Sequence, residues 1–173
     1  MRLMDSAKRP VTPLAGSYGH PVHPALVAVP IGAWIASFVF DVGSRVVSDG
    51  RFLVQGSRWL IALGVLGAVV AALAGFLDLL AIAPGTRAFR IAMVHMSINL
   101  IVTGLFGAGL ALRDGSADRV GWGPIALSAV ALAGLAVSGW LGGELAYRYG
   151  VRVADEATQG EGYHRADTTE EDA

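Results

Sequence analysis

The sequence predicts an all-α protein, a four-helix transmembrane bundle with up-down-up-down topology and short loops. Of its 173 residues, 54% are hydrophobic and 16% are charged, and the mean hydropathy is +0.55. A soluble globular protein has about 25% charged residues. Four stretches are apolar over 18 residues or more, which is enough to cross a hydrocarbon core of about 30 Å. These stretches are apolar all round rather than amphipathic, which argues against a soluble bundle.

The four predicted spans follow one another with short connections. Because the loops are short, consecutive helices should be antiparallel neighbours. Each loop carries a turn-forming dipeptide, namely Asp49-Gly50, Pro84-Gly85 and Asp114-Gly115. The expected spans cover about residues 24–46, 59–83, 91–112 and 122–147.

The two ends of the chain differ from the spans in composition. Residues 1–17 contain bases and no apolar run, so we expect a flexible N-terminal arm there. Residues 154–173 contain one base and seven acids, a net charge of −6, with little apolar surface to bury. That composition predicts a disordered acidic tail. The transmembrane domain is accordingly expected over residues 18–153.

The charges also predict an orientation and exclude some functions. An even number of spans puts both termini on one side, and that side carries eight lysines and arginines against five on the other. The positive-inside rule then favours cytoplasmic termini. The net charge of −1 excludes a broad basic face for nucleic acid. The absence of cysteine excludes disulfides and cysteine-bound zinc or iron–sulfur centres.

Small residues within the spans indicate close helix contacts. Residues spaced small-xxx-small let helices approach one another in lipid. Such pairs could pack the bundle itself, a homodimer, or a redox or transport partner subunit. The pairs are Ala71 with Gly75, Gly104 with Ala108, and Gly139 with Gly143.

Polar side chains gather at the end of the bundle that carries both termini. An ionisable residue inside a span costs a few kcal/mol, so each needs a reason. Every predicted span brings at least one such group to this end, whereas Asp41, near Arg45, lies at the opposite end. The groups are His20 and His23 before the first span, Asp78 in the second, His95 and Asn99 in the third, and Glu144 and Arg148 in the fourth.

These groups could serve three kinds of chemistry. His95 with His20 or His23 could hold a b-type haem from opposite faces, with Asp78 or Glu144 orienting an imidazole. Alternatively, His20, His23, His95 and Asp78 could bind a bare transition-metal ion. A proton relay along His95, Asp78 and Glu144 is the third use, with Asn99 and Arg148 in supporting positions.

Plain structural roles compete with each of these uses. His20 and His23 could cap the first helix at the membrane interface, and His95 could simply bond a neighbouring helix. Asp78 and Glu144 could pair with Arg87, Arg90 or Arg148 at the lipid headgroups.

Three segments resemble a known family. The stretch GHPVHPALVAVPIGAW followed by Asp41, the stretch GFLDLLAIAPGTRAFRIAMVHMSINL, and the stretch GWLGGELAYRYGVRV are similar to the blocks of the DUF2231 family of bacterial membrane proteins. The resemblance covers about residues 18–153 and implies the bacterial inner membrane. It points to the same positions, His20, His23, Asp78, His95, Asn99 and Glu144. Some relatives carry a Rieske-type domain, which implies electron transfer, but this chain has no cysteine.

The sequence leaves three functions open. The first is a small membrane protein that binds haem b or a metal ion for electron transfer. The second is a non-catalytic membrane subunit or anchor, and the third is a small proton-coupled transporter module. An enzyme is not favoured, because no nucleophile lies at a recognisable spacing from a base.

Overall fold

Four long helices account for the four apolar stretches, which confirms the predicted all-α transmembrane bundle. The computed structural model describes residues 2–163. His164 and the residues that follow it in the expected acidic tail lie outside that range. The elements in chain order are α1 (Arg2–Lys8), a 3-10 turn (Pro13–Ala15), β1 (Gly16–Ser17), β2 (His20–Pro21), α2 (His23–Leu26), α3 (Ala28–Val46), α4 (Arg51–Leu79), α5 (Arg87–Ala111), α6 (Trp122–Gly143), a π-helical turn (Glu144–Arg148) and α7 (Glu156–Glu161).

The spans pack as a closed ring. Helices α2 and α3 together form the first span, and each span contacts the next one along the chain. Helix α3 also packs against α6, which closes the bundle. At its centre, the rings of Trp34 and Phe106 stack at 4.3 Å between centroids. Ile61, Val102 and Ala131 complete this buried layer, so all four spans contribute to it.

The second span begins earlier than predicted, and the first span contains a break. Helix α4 begins at Arg51 rather than near residue 59. The predicted span left out residues 51–58 because Arg51 and Arg58 are unfavourable in hydrocarbon, but a helix can continue beyond the hydrocarbon core. The first span is interrupted at Val27, between α2 and α3. This break lies one turn before Pro30, which has no N–H to offer the carbonyl of Leu26.

A buried ion pair joins the four spans at the end opposite the termini. Arg113 Nη2 lies 2.5 Å from Asp41 Oδ2, and neither side chain is exposed. The Ser57 hydroxyl donates to the other oxygen of Asp41, and Arg113 donates to Ser128 Oγ at 2.7 Å. The carboxylate thus comes from α3 and the two hydroxyls come from α4 and α6. The guanidinium comes from just beyond the end of α5.

Arg45, one turn from Asp41 in the sequence, bonds elsewhere. Arg45 donates to the carbonyl of Val120 at 3.2 Å and lies 4.6 Å from the centre of the Trp122 ring. An arginine at the end of a span is stabilised at the membrane interface, where an exposed indole also lies. The buried carboxylate is reached instead by Arg113, which follows the end of α5.

The chain ends carry more structure than the sequence predicts. Within the expected N-terminal arm, α1 and the 3-10 turn bury Ala7 and Ala15. Within the expected tail, α7 begins after Asp155, whose carboxylate accepts from the N–H of Thr158 at 2.9 Å. That bond holds the pKa of Asp155 below its usual value, with a smaller contribution from Tyr18.

We expect Arg113→Ala to destabilise the bundle by about 3–5 kcal/mol, because it leaves the Asp41 carboxylate buried without its counter-charge. Thermal unfolding in detergent micelles measures the loss. Arg51→Ala is the control, since it breaks the exposed Arg51–Asp118 pair and should cost at most about 1 kcal/mol. Equal effects of the two substitutions would contradict the structural role of the buried pair.

Candidate functional site

Two imidazoles meet at the terminus-bearing end of the bundle. His23 is the first residue of α2, and His95 lies two turns into α5. Their ring centroids are 6.3 Å apart and their planes are perpendicular. The structure therefore brings together one of the two histidine pairs that the sequence proposed.

A backbone carbonyl of α4 orients the ring of His23. Its Nδ1 lies 2.9 Å from the carbonyl oxygen of Ala71 and donates to it, which in the neutral ring leaves the lone pair on Nε2. The ring lies against Gly75, one turn further along α4. A Cβ added there would lie 2.9 Å from His23 Cε1 and Nδ1, so the imidazole occupies the space that a side chain would fill.

His95 is held in the same manner by α6. Its Nδ1 lies 2.8 Å from the carbonyl oxygen of Ser138, and Gly142 leaves room for the ring. The amide of Asn99 lies 3.1 Å from Nε2 and donates to the His95 carbonyl at 3.0 Å. The Asn99 amide thus faces an unprotonated Nε2, as expected from its position one turn away.

The other predicted groups form separate pairs. Asp78 Oδ1 lies 2.8 Å from Arg152 Nε, with both side chains largely buried. Glu144 accepts from Arg148 at 3.4 Å and from the hydroxyl of Tyr149 at 3.2 Å. Backbone carbonyls, rather than these carboxylates, orient the two imidazoles.

His20 does not join the imidazole pair. It lies in the exposed hairpin, where Ser17 pairs with His20, and its Nδ1 is 3.4 Å from the carbonyl of Tyr18. Over residues 2–163, no three histidine, aspartate or glutamate side chains surround a common point at which a metal ion could bind. The four-ligand ion site considered from the sequence is therefore not assembled.

The site also uses residues that the sequence analysis did not select. Ser138 and Gly142 line His95, and only their position on the face of α6 could have indicated this. Ala71 and Gly75 were noted as a pair that lets two helices approach, but the imidazole of His23 fills the gap instead. Arg152 was considered only for its charge.

The depth of the site follows from positions along α4. Ser57 bonds one buried ion pair and Asp78 belongs to the other, and their separation of 21 positions corresponds to about 31 Å of helix. This distance matches the thickness of the hydrocarbon core. Ala71 lies seven residues, about 10 Å, inward from Asp78. The carbonyl that binds His23 is therefore at hydrocarbon depth, where an unsatisfied ring N–H would be costly.

Comparison with known proteins gives one match. A family model described as "Predicted membrane protein (DUF2231)" covers residues 19–155. No curated protein matches the chain, and no solved structure does.

We expect Gly75→Ala to displace the imidazole of His23 and destabilise the bundle by about 1–3 kcal/mol, the usual cost of overpacking. Thermal unfolding in detergent micelles reports the change. Gly104→Ala on α5 is the matched control, because a Cβ there would meet nothing within 4 Å. If both substitutions leave the unfolding temperature unchanged, His23 is not held in the gap beside Gly75.

Proposed function

The chain belongs to the DUF2231 family of predicted membrane proteins, and we propose that it binds one metal centre between His23 and His95 for electron transfer. The centre is a b-type haem or a bare transition-metal ion, since both use the same two imidazole ligands. We place the protein in the bacterial inner membrane with both termini in the cytoplasm, on the resemblance of its sequence blocks and the excess of basic residues on that side.

The observation that carries the proposal is the way in which both rings are held. Each donates its Nδ1 proton to a backbone carbonyl, His23 to Ala71 at 2.9 Å and His95 to Ser138 at 2.8 Å. A metal-binding histidine usually donates its second nitrogen in this manner, which fixes the tautomer and makes Nε2 the ligand. The two histidines thus share the tautomer that presents Nε2, and a metal bound to His95 would take the place of the Asn99 amide, which lies 3.1 Å from that nitrogen.

The distance between the rings supports a shared centre. With metal–nitrogen bonds of about 2.0 Å, two imidazoles on opposite sides of one metal place their ring centres roughly 6 Å apart. The observed separation is 6.3 Å. Perpendicular ring planes are compatible with this arrangement, because rotation about a metal–nitrogen bond leaves that bond unchanged.

The surrounding residues set the form of the centre. The two rings fill the space left by Gly75 and Gly142, and a bare ion between the rings needs less displacement of the helices than a porphyrin does. Copper is an imidazole-preferring ion, and its cuprous state accepts two nitrogen donors in line. A porphyrin would need the helices to separate around the pair. When bound, either centre would exchange one electron with a partner.

A proton-coupled transporter is less well supported. The described residues place an apolar layer, which includes Trp34 and Phe106, between the histidine pair and the buried Asp41–Arg113 pair. A proton crossing the bundle would need polar groups in that layer.

We expect the purified protein to contain one centre per chain, which His23→Ala and His95→Ala each remove and His20→Ala, at the exposed imidazole, retains. Loss of the His95 bond should cost only about 0.6 kcal/mol, so the variant stays folded in the membrane. Absorption spectra of the oxidised and reduced protein, with elemental analysis, provide the measurement.

The outcomes separate the two forms of the centre. A Soret band identifies haem, whereas a stoichiometric metal without a Soret band identifies a bare ion. Absence of both, or a centre that survives both substitutions, overturns the proposal.

A role as a membrane subunit or in a homodimer is the second candidate. One observation favours it: a Cβ added at Gly104 or Gly139 would meet nothing within 4 Å, so these predicted packing positions face outward. Close helix contact in lipid uses such outward-facing small residues.

If α5 pairs with a second copy, Gly104→Ile should lower the dimeric fraction in mild detergent, measured by light scattering. Leu73→Ile, at an exposed position of α4, should have no effect. A monomer at every concentration, or dimers insensitive to Gly104→Ile, would remove this candidate.

A further inference from the structure

The two ends of the chain lie together over the terminus-bearing end of the bundle. We define the terminal cap as residues 7–22 and 149–155. The backbone N–H of Arg152 donates to the carbonyl of Ala7 at 2.9 Å, and its Nη2 donates to Ala15 at 2.9 Å. The N–H of Asp155 donates to the Tyr18 hydroxyl at 2.7 Å. The N-terminal and C-terminal parts of the cap therefore form one unit.

One ion pair joins this cap to the spans. Arg152 in the cap lies 2.8 Å from the carboxylate of Asp78, in the last turn of α4, and their side chains are 3% and 11% exposed. Of the four ion pairs within residues 2–163, only this one connects the cap to a span. Asp78 also lies about one turn beyond Gly75 on α4, the residue against which the ring of His23 packs. The carboxylate thus lies between the cap and the imidazole pair.

The closed arrangement is held against local costs. Arg152 has φ of 60°, a left-handed conformation that is unfavourable for a residue other than glycine. Its Nη1 is buried without a hydrogen-bond partner, and its Nε meets Asp78 Oδ1 as an ion pair without hydrogen-bond geometry, so both nitrogens carry a desolvation cost. A π-helical turn, Glu144–Arg148, precedes the cap, and such turns are frequent at functional sites. The Asp78–Arg152 pair is the polar contact that opposes these costs.

We propose that the terminal cap is the gate through which a metal cation reaches His23 and His95, and that Arg152 and the incoming cation compete for Asp78. With the gate closed, the guanidinium neutralises the carboxylate. When the cap moves away, Asp78 is a free anion about 10 Å above the level of Ala71, on the aqueous side of the imidazole pair. A free carboxylate at that position attracts a cation before the imidazoles bind it. The identity of the cargo rests on the proposed function above, whereas the opening of the cap does not.

Two substitutions separate opening from attraction. Arg152→Ala releases the cap and leaves Asp78 charged, whereas Asp78→Asn releases the cap and removes the attracting charge. Arg148→Ala is the matched control, because it breaks the exposed Glu144–Arg148 pair at the same end. Hydrogen exchange of the metal-free protein in lipid nanodiscs measures opening, and uptake of cuprous copper from a chelator-buffered solution measures access.

We expect exchange in residues 7–22 and 149–155 to accelerate by about tenfold or more in both variants, with the spans still protected, and to stay unchanged in Arg148→Ala. Copper uptake should accelerate most in Arg152→Ala and less in Asp78→Asn. Unchanged exchange in both variants overturns the gate, as does faster exchange with equal uptake rates. If no variant binds copper, or if the isolated protein contains haem, the cation route is overturned, while hydrogen exchange still decides whether the pair holds the cap.

Discussion

A charge buried within a membrane bundle must be neutralised by a partner, and the structure depends on this constraint. The Asp41–Arg113 pair has no exposed side chain at either partner. Its members are further bonded by the hydroxyls of Ser57 and Ser128. Since each group comes from a different span, the requirement to satisfy one carboxylate fixes the relative depth of all four helices. Apolar packing alone gives no such registration, because lipid tails are as apolar as the side chains of the bundle.

The other polar groups of the spans follow the same constraint. Along α4, Ser57 and Asp78 are separated by about the thickness of the hydrocarbon core, so both ion pairs lie near its boundaries. The histidine pair and Asn99 lie further inward, and there the Nδ1 of each imidazole donates to a backbone carbonyl, while Asn99 donates to the carbonyl of His95. The hydrogen bond of each imidazole to a carbonyl offsets the cost of burying its N–H at this depth.

The sequence predicted the fold and part of the site. Length and hydropathy are sufficient for four spans, and an even number of spans predicted that His23, Asp78, His95 and Glu144 share one end. The Glu144–Arg148 pair and the bond from His95 to a neighbouring helix were among the alternatives offered by the sequence, and the structure has both. The Asp78–Arg152 pair was not predictable, because it depends on helix rotation and on a chain segment outside the spans. His20 is three residues from His23, yet the hairpin of β1 and β2 leaves it exposed and apart. Asp41 lies near Arg45 in the sequence, whereas its partner in the structure, Arg113, is 72 residues away.

The two buried ion pairs differ in what they connect, and this difference assigns their roles. Arg113 follows α5 directly and bonds groups of α3 and α6, so separating it from Asp41 requires the spans themselves to move. Arg152 lies beyond the π-helical turn, in a segment whose direction changes at Gly150 and Arg152, both with positive φ. Separating it from Asp78 requires only the chain ends to move. The Asp78–Arg152 pair therefore links the chain ends to the end of the bundle where the imidazole pair lies, while the Asp41–Arg113 pair keeps the helices in register at the opposite end.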